Sequence, residues 1–420
     1  MSKSRRMITF TALSMAAGFI FFAPCLKYTF YDQMLEVFHL DDVQINMCYS
    51  VYAFLCLVCY PLSGWLGDKG SVKKLVAFSL FADAAVIILY SFTTSYPLLL
   101  VIHGFLGLFA GGTFWCPYLK AVRLLGDEKS QGKMFGISEA VRGLAQALIG
   151  FLAVWVLGKS RVLGVGFRNM LWMTAAFLIA LGISVLILFP NTQENRNQVQ
   201  KTGQKREKEK TPGMLQAIKL KGTWIAIFII ITGFCAWLLA NTFLTTYTVR
   251  VLGVSQGLAS TLGTIRSYIL ICVAGFGGGW LMDKFTYKGK TFLVLFLLGA
   301  VTLLAIMGTS KAVMLCVALT LFLTLLVNTI RSTYWSILGQ AGIPIALTGA
   351  ATGIISFVAY LPESFLTVIC GSWIKSAEAA GDVSTAFTWI FTLMIVFCLL
   401  GAVASFLLLR QTKSIEKKKA

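Results

Sequence analysis

The chain has 420 residues, of which 57% are hydrophobic and only 13% charged, with a mean hydropathy of +0.80. These proportions exclude an ordinary soluble globular protein of this size. A formal charge of +19 would suggest nucleic acid in a soluble chain, but here the placement of the basic residues decides its meaning, and no nucleic-acid partner is expected.

In chain order, Lys3, Arg5 and Arg6 precede an apolar run from about 7 to 31. The run is too long for a signal sequence and no small-residue cleavage pattern follows it, so it reads as a retained first helix. A hydrocarbon core of about 30 Å needs roughly 20 apolar residues per helix. Further spans fall near 43–65, 75–94, 97–119, 134–157 and 168–189, then 223–247, 257–281, 291–309, 312–337, 348–370 and 385–409. The expectation is an all-α membrane protein of twelve transmembrane helices, with six in residues 1–190 and six in 223–420. Residues 191–222 between them are polar and lysine-rich without an apolar period, and read as a solvated cytoplasmic linker that could touch anionic lipid headgroups.

The two halves repeat one another. Gly64-Trp65-Leu66-Gly67-Asp68-Lys69 returns as Gly279-Trp280-Leu281-Met282-Asp283-Lys284, each copy between two apolar stretches and followed by lysines. Gly18-Phe19 recurs as Gly233-Phe234, Phe114-Trp115 as Tyr334-Trp335, and Gly136-Ile137 as Gly353-Ile354. The chain is a duplication of one six-helix bundle. The side holding both termini and the duplicated loops collects 26 of the Lys and Arg residues, from Lys3 to Lys419, against six on the other (Lys159, Arg161, Arg168, Arg250, Lys311, Lys375). The positive-inside rule therefore places both termini in the cytoplasm.

The duplicated loop resembles the signature loop between helices 2 and 3 of the Major Facilitator Superfamily, G-x-L-x-D-[RK]-x-G-[RK]-[RK]. Gly64, Leu66, Asp68 and Lys69 match in register, Gly70 falls one place early, and Phe285 stands opposite Gly70 in the second copy. The resemblance implies two six-helix halves with a solute near the midplane between them and access that alternates as one half moves against the other. It also implies a gating role for Gly64, Asp68, Lys69, Gly70, Asp283 and Lys284.

No nucleophile motif or phosphate-cradling loop stands out, so neither an enzyme nor ATP-driven transport is expected, and no cofactor. Cys56-x-x-Cys59 has no second pair or histidine nearby and reads as packing rather than metal binding, and the ten cysteines lie in or beside apolar stretches rather than in a disulfide framework. Function must then rest on ionisable groups inside the spans, where charge is costly. Lys27, within Lys27-Tyr28-Thr29-Phe30-Tyr31, reads either as an anion-binding group or as a lysine snorkelling to the outer headgroups. Glu139 and Arg142 lie three apart on helix 5 and can touch, lining a polar cavity or neutralising one another. Arg331 precedes Trp335 by four residues, as Gly111 precedes Trp115, and lies inside helix 10, in a cavity role or a structural pair; Arg266 on helix 8 is a further candidate cation, with snorkelling as the competing reading.

Asp83, Glu139 and Glu363 are the candidate coupling acids, each otherwise half of a structural pair, and His103 could titrate or simply pack. Within the superfamily, Lys27-Tyr28-Thr29-Phe30 looks like the helix 1 segment of organophosphate and organic-anion carriers, in which the basic residue binds the anion; Thr242 stands where the organophosphate exchangers have a second arginine. Lys27, Tyr28, Tyr31, Trp115, Arg142, Arg331 and Trp335 are accordingly the expected substrate-binding set. The expectation is a monomeric secondary transporter of a small polar, anionic organic solute, with H+ or Na+ as a coupling partner and membrane lipids around it. A neutral-sugar carrier stays open, and a non-transporting sensor would need a soluble output segment with a core, which neither the linker nor the tail after Arg410 provides. Reporters attached at the C-terminus and in the loop holding Lys159 should read as cytoplasmic and extracellular, respectively; the reverse at either site contradicts the charge map.

Overall fold

The computed structural model describes residues 3–40, 42–126, 130–189, 213–255, 258, 262–263, 265–309 and 311–419. Most of the expected linker, residues 191–212 of 191–222, lies outside them. The first half contains α1 (Lys3–Phe19), α2 (Tyr31–Phe38), α3 (Asp42–Lys69), α4 (Val72–Tyr90), α5 (Tyr96–Gly107), α6 (Cys116–Leu125), α7 (Gln131–Lys159) and α8 (Leu163–Leu188). The second contains α9 (Met214–Lys219), α10 (Lys221–Arg250), α11 (Leu270–Lys284), α12 (Lys288–Gly308), α13 (Val313–Thr333), α14 (Thr348–Tyr360), α15 (Leu366–Ala379) and α16 (Val383–Lys419). Among the described residues no strand occurs.

Nine helices among the described residues are long and apolar enough to cross a membrane. Three further expected spans explain the difference from twelve. The first breaks after α1 and resumes as a 3-10 turn, Ala23–Tyr28, with Pro24 near its start. The third, α4, carries Lys73, Lys74 and Asp83. The eighth is divided between a π-helical turn, Ile265–Ile269, and the 15 residues of α11.

Prolines account for two departures from the sequence reading. Lys27 sits in the 3-10 turn beyond α1 rather than on a continuous helix, because Pro24 has no N–H to carry an α-helical hydrogen bond through that point. Glu363 likewise sits in the 3-10 turn Leu361–Ser364, where Pro362 separates α14 from α15.

The chain folds into two compact units that cut across the sequence repeat: residues 1–125, 141–217 and 345–357 in one, and 126–140, 218–344 and 358–420 in the other. In the first unit α4 and α1 lie along α8, and α3 lies along α5 and the π-helical segment Leu108–Trp115. Lipid tails are as apolar as leucine, so such contacts depend on close packing more than on the hydrophobic effect. Gly107 and Gly111 supply it: a Cβ at either would come within 2.5 Å of the Tyr52 carbonyl oxygen or 2.6 Å of the Cys56 Cα on α3. In the second unit α16 packs along α10 and α12, and α11 along α13. Outward, α7 exposes Leu144, Leu148, Phe151 and Trp155. Spaced four, three and four apart, they form one apolar stripe suited to lipid.

Candidate functional site

The duplicated loop ends in a contact that neither half of the repeat makes alone. In the first unit Asp68, at the end of α3, accepts hydrogen bonds from the backbone N–H groups of Gly349 (2.9 Å) and Ala350 (2.6 Å), at the start of α14. The first N–H groups of a helix have no partner within it and carry the positive end of its dipole, so a carboxylate there is doubly favoured. Lys120 on α6 completes the site, its ammonium 2.7 Å from Asp68 Oδ1 and 2.9 Å from the Gly67 carbonyl oxygen. Arg123, one turn on, donates to the hydroxyl of Thr348.

The second copy repeats the geometry. Asp283, at the end of α11, accepts from the N–H groups of Gly132 (2.9 Å) and Lys133 (2.7 Å), at the start of α7. In each case the second residue of the capped helix must be glycine: a Cβ at Gly349 or Gly132 would lie 2.6 Å from the carboxylate oxygen it serves. A turn further, backbones cross at paired glycines, Gly64 against Gly349 and Gly353, and Gly136 against Gly275 and Gly279. The recurrence of Gly136-Ile137 as Gly353-Ile354 thus marks a helix crossing in each unit.

The copies differ in charge. In the register set by Trp115 and Trp335, Gln340 stands where the first copy has Lys120; it bonds the Thr286 carbonyl and the Lys288 N–H. Burial pushes the Asp283 carboxyl above the ordinary aspartate value, opposed by the N–H groups of Lys133 and Gly132 and by the charges of Lys288 and Lys133. Acidification therefore removes this cap at a higher pH than an ordinary aspartate would allow. Lys69 and Lys284 lie over the rings of Trp65 and Trp280, at 4.6 and 4.9 Å, instead of joining the caps, and Gly70 ends α3 by donating to the Leu66 carbonyl at 2.7 Å.

Inside the second unit, Arg331 on α13 donates to Glu139 on α7 at 2.8 Å. Its guanidinium lies 4.1 Å from the centre of the Trp237 ring, and the Trp237 indole N–H donates to Asn328 Oδ1 at 3.1 Å. Glu363 is exposed and within electrostatic reach of Arg331. Three expected residues, Arg331, Glu139 and Glu363, therefore share one neighbourhood. Trp335 is buried against Tyr334 in the turn that follows α13. Arg142, three residues beyond Glu139, belongs to the first unit, where Gly18 of α1 passes close to its carbonyl oxygen.

In the first unit the Lys27 ammonium donates to Asn46 Oδ1 at 3.0 Å and lies 4.1 and 5.2 Å from the ring centres of Tyr49 and Tyr28. Among the described residues it has no acidic partner at bonding distance. The Tyr31 side chain lies outside the described residues. Trp115 is buried and donates to the Ser356 hydroxyl at 3.2 Å, which ties α14 to the π-helical segment. Asp83 is fully buried on α4, and neither carboxyl oxygen has a hydrogen-bond partner among the described residues. His103 bonds the Leu99 carbonyl at 2.8 Å and packs its ring on Tyr90, which is the packing alternative.

For Arg266 the structure decides between the two readings. This residue is 4% exposed and donates to Thr245 and Thr320, so it does not snorkel. Lys120, Asn46, Tyr49, Trp237 and Asn328 escaped the sequence reading, because a helical period fixes which face a residue occupies but not which helix meets that face. For Asn328 a signal was present: Thr320, Thr324, Asn328 and Arg331 form a polar line at helical spacing on α13.

A multi-pass helical protein with two aspartate-capped loops in repeated register has the scaffold of a secondary transporter. The Major Facilitator Superfamily model matches residues 6–367, and the chain belongs to that superfamily. The inner membrane protein YihN of Escherichia coli (strain K12) is 27% identical over 428 residues, covering 100% of this chain and 99% of its own. Among solved structures, FucP, an E. coli fucose:proton symporter, superposes in its outward conformation with a TM-score of 0.72 at 16% identity, over 96% of this chain and 99% of that one. The proton:xylose symporter XylE, bound to 6-bromo-6-deoxy-D-glucose, gives 0.67 at 13% identity, over 97% and 95%. At such identities the likeness is one of fold.

Asp68→Asn removes the ion pair with Lys120 and leaves one good acceptor for two N–H groups. Amide hydrogen exchange should then quicken in peptides covering the start of α14, at 348–352, while peptides of α8 keep the parental rate. Unchanged exchange at 348–352 contradicts the cap.

Proposed function

We propose that the chain is a secondary active transporter that moves a small polar, anionic organic solute across the plasma membrane by alternating access, with a proton or another cation as coupling partner. Membership of the superfamily supports transport, and the naming of YihN as an inner membrane protein supports the location. The basic-residue asymmetry supports cytoplasmic termini.

The observation that carries the anion assignment is the setting of Lys27. A cation within a membrane span is costly unless something compensates it. Asn46 and the faces of Tyr28 and Tyr49 offer partial charges only, so the ammonium keeps charge for a solute. Arg331 differs, because Glu139 already neutralises it. That pair suits coupling: a proton arriving at Glu139 would release Arg331, with Glu363 as a second acid within reach. Asp83 is the third candidate proton site, since an ionised carboxylate without partners is expensive to bury. Tyr28, Tyr31, Trp115, Arg142 and Trp335 complete the proposed solute-binding set.

A neutral-sugar carrier is the second reading. The fold likeness to the fucose symporter FucP and the xylose symporter XylE favours it, as do the aromatic rings grouped around Arg331, with Trp237 against Phe234 and Phe234 against Tyr360.

A charge-assisted contact to an anion contributes roughly 1.5 to 3 kcal/mol. Lys27→Gln should therefore weaken solute binding about tenfold or more at neutral pH, whereas Lys311→Gln, the same change at an exposed loop residue, should be near neutral. Equal binding by the two variants, or an uncharged solute, removes the anion assignment.

A further inference from the structure

Arg266 is a buried cation with no acidic partner at bonding distance among the described residues. Its guanidinium bridges two helices, one terminal nitrogen donating to the Thr245 hydroxyl on α10 (3.3 Å) and the other to the Thr320 hydroxyl on α13 (2.7 Å). The Thr320 hydroxyl gives its own proton to the Val317 carbonyl at 2.7 Å, so towards Arg266 it acts as acceptor. The Arg266 Nε is buried with no partner among the described residues. A guanidinium carries five N–H donors, and most of these are left unengaged by the two threonines.

The acids of this unit are otherwise occupied or distant. Glu139 holds Arg331, Glu378 holds Arg250, Asp283 caps α7, Tyr287 donates to Glu416, and Asp382 accepts from Thr385. Among the described residues, none comes within bonding distance of Arg266. Hydroxyl dipoles alone compensate a buried guanidinium poorly, and an apolar residue would serve packing at this place better. Arg266 also stands at one end of a polar lane. Thr320, Thr324, Asn328 and Arg331 follow one face of α13. Asn241, Thr242, Thr245 and Thr246 share one face of α10, and none of these four is buried. From Thr320 to Arg331 the lane is about 16 Å long at 1.5 Å per residue.

We infer that Arg266, with Thr245 and Thr320, is an oxyanion-binding subsite for the carboxylate of a monoanionic polyhydroxy acid, whose hydroxyls are met by the threonine and asparagine side chains of the lane. The inference rests on the proposal that the solute is anionic, and it names a group other than Lys27 as a holder of the charge. A guanidinium edge presents two parallel N–H donors matched to a carboxylate. At this subsite a single guanidinium balances a single negative charge, which favours a carboxylate over a doubly charged phosphate ester there. Hydroxyl and amide groups along α10 and α13 suit a sugar-like body more than an aliphatic one. The structural rival is a pair of buried waters that satisfy the free donors.

The test is thermal unfolding of the full chain in detergent, followed by tryptophan fluorescence at constant ionic strength. The probes are gluconate, glucuronate, lactate, inorganic phosphate and D-glucose. The parent should be stabilised by gluconate or glucuronate more than by phosphate, and not by glucose. Arg266→Gln should lose at least about tenfold in apparent affinity, as expected for one charge-assisted pair. Arg266→Lys should keep part of the response, and Thr320→Val should weaken it. If Arg266→Gln does not fold, Arg266→Lys and Thr320→Val carry the same comparison. Variants that respond like the parent overturn the subsite and leave Lys27 as the anion group. A parent stabilised by glucose, by phosphate alone or by no probe overturns the subsite, and with glucose it overturns the anionic reading as well.

Discussion

A carboxylate that closes the open N–H end of a helix far away in the chain is the contact on which the rest of this structure depends. Asp68 joins residues separated by 281 positions, and Asp283 joins residues separated by 151. Both rely on the same inequality. A buried aspartate alone is expensive, the free N–H groups of a buried helix start are expensive, and the two costs cancel when they meet. The glycines follow from that contact. Gly132 and Gly349 let the carboxylate reach the backbone, and Gly64, Gly136, Gly275, Gly279 and Gly353 let the helices cross closely enough to hold it there.

Much of the fold could be read from the chain. Twelve apolar stretches, the duplicated loop and the one-sided distribution of lysine and arginine carry the architecture because bilayer thickness and repeat register are one-dimensional constraints. Side-chain partners are not one-dimensional. Glu139 was readable as a neighbour of Arg142 three residues away; its ion pair with Arg331, 192 residues on, was not. Lys120 counted only as a loop charge, although it completes the Asp68 site. The Lys27 and Glu363 turns were hidden for another reason: a proline inside an apolar run signals a break without fixing whether the chain bends or resumes as a tighter helix.

The polar groups within the spans divide into those whose charge is answered by the protein and those whose charge is not. Arg331 and Glu139 answer one another, and Trp237 covers the open face of the guanidinium. Lys27 and Arg266 have only neutral partners among the described residues. One lies in each compact unit. Hydrocarbon penalises such groups heavily, which supports the proposal that a compensating charge arrives with the solute. The aromatic surroundings of Lys27 and the hydroxyl surroundings of Arg266 suggest different work: the first softens a cation against tyrosine faces, and the second fixes a planar fork in one orientation.

The central claim is that the chain carries an organic anion. Counterflow in proteoliposomes tests it most directly: vesicles loaded with an unlabelled polyhydroxy acid such as gluconate are diluted into a trace of the labelled compound. Transient uptake of label above equilibrium is the predicted result, abolished when the vesicles are loaded with D-glucose instead. Exchange of labelled D-glucose with no exchange of any organic anion would contradict it.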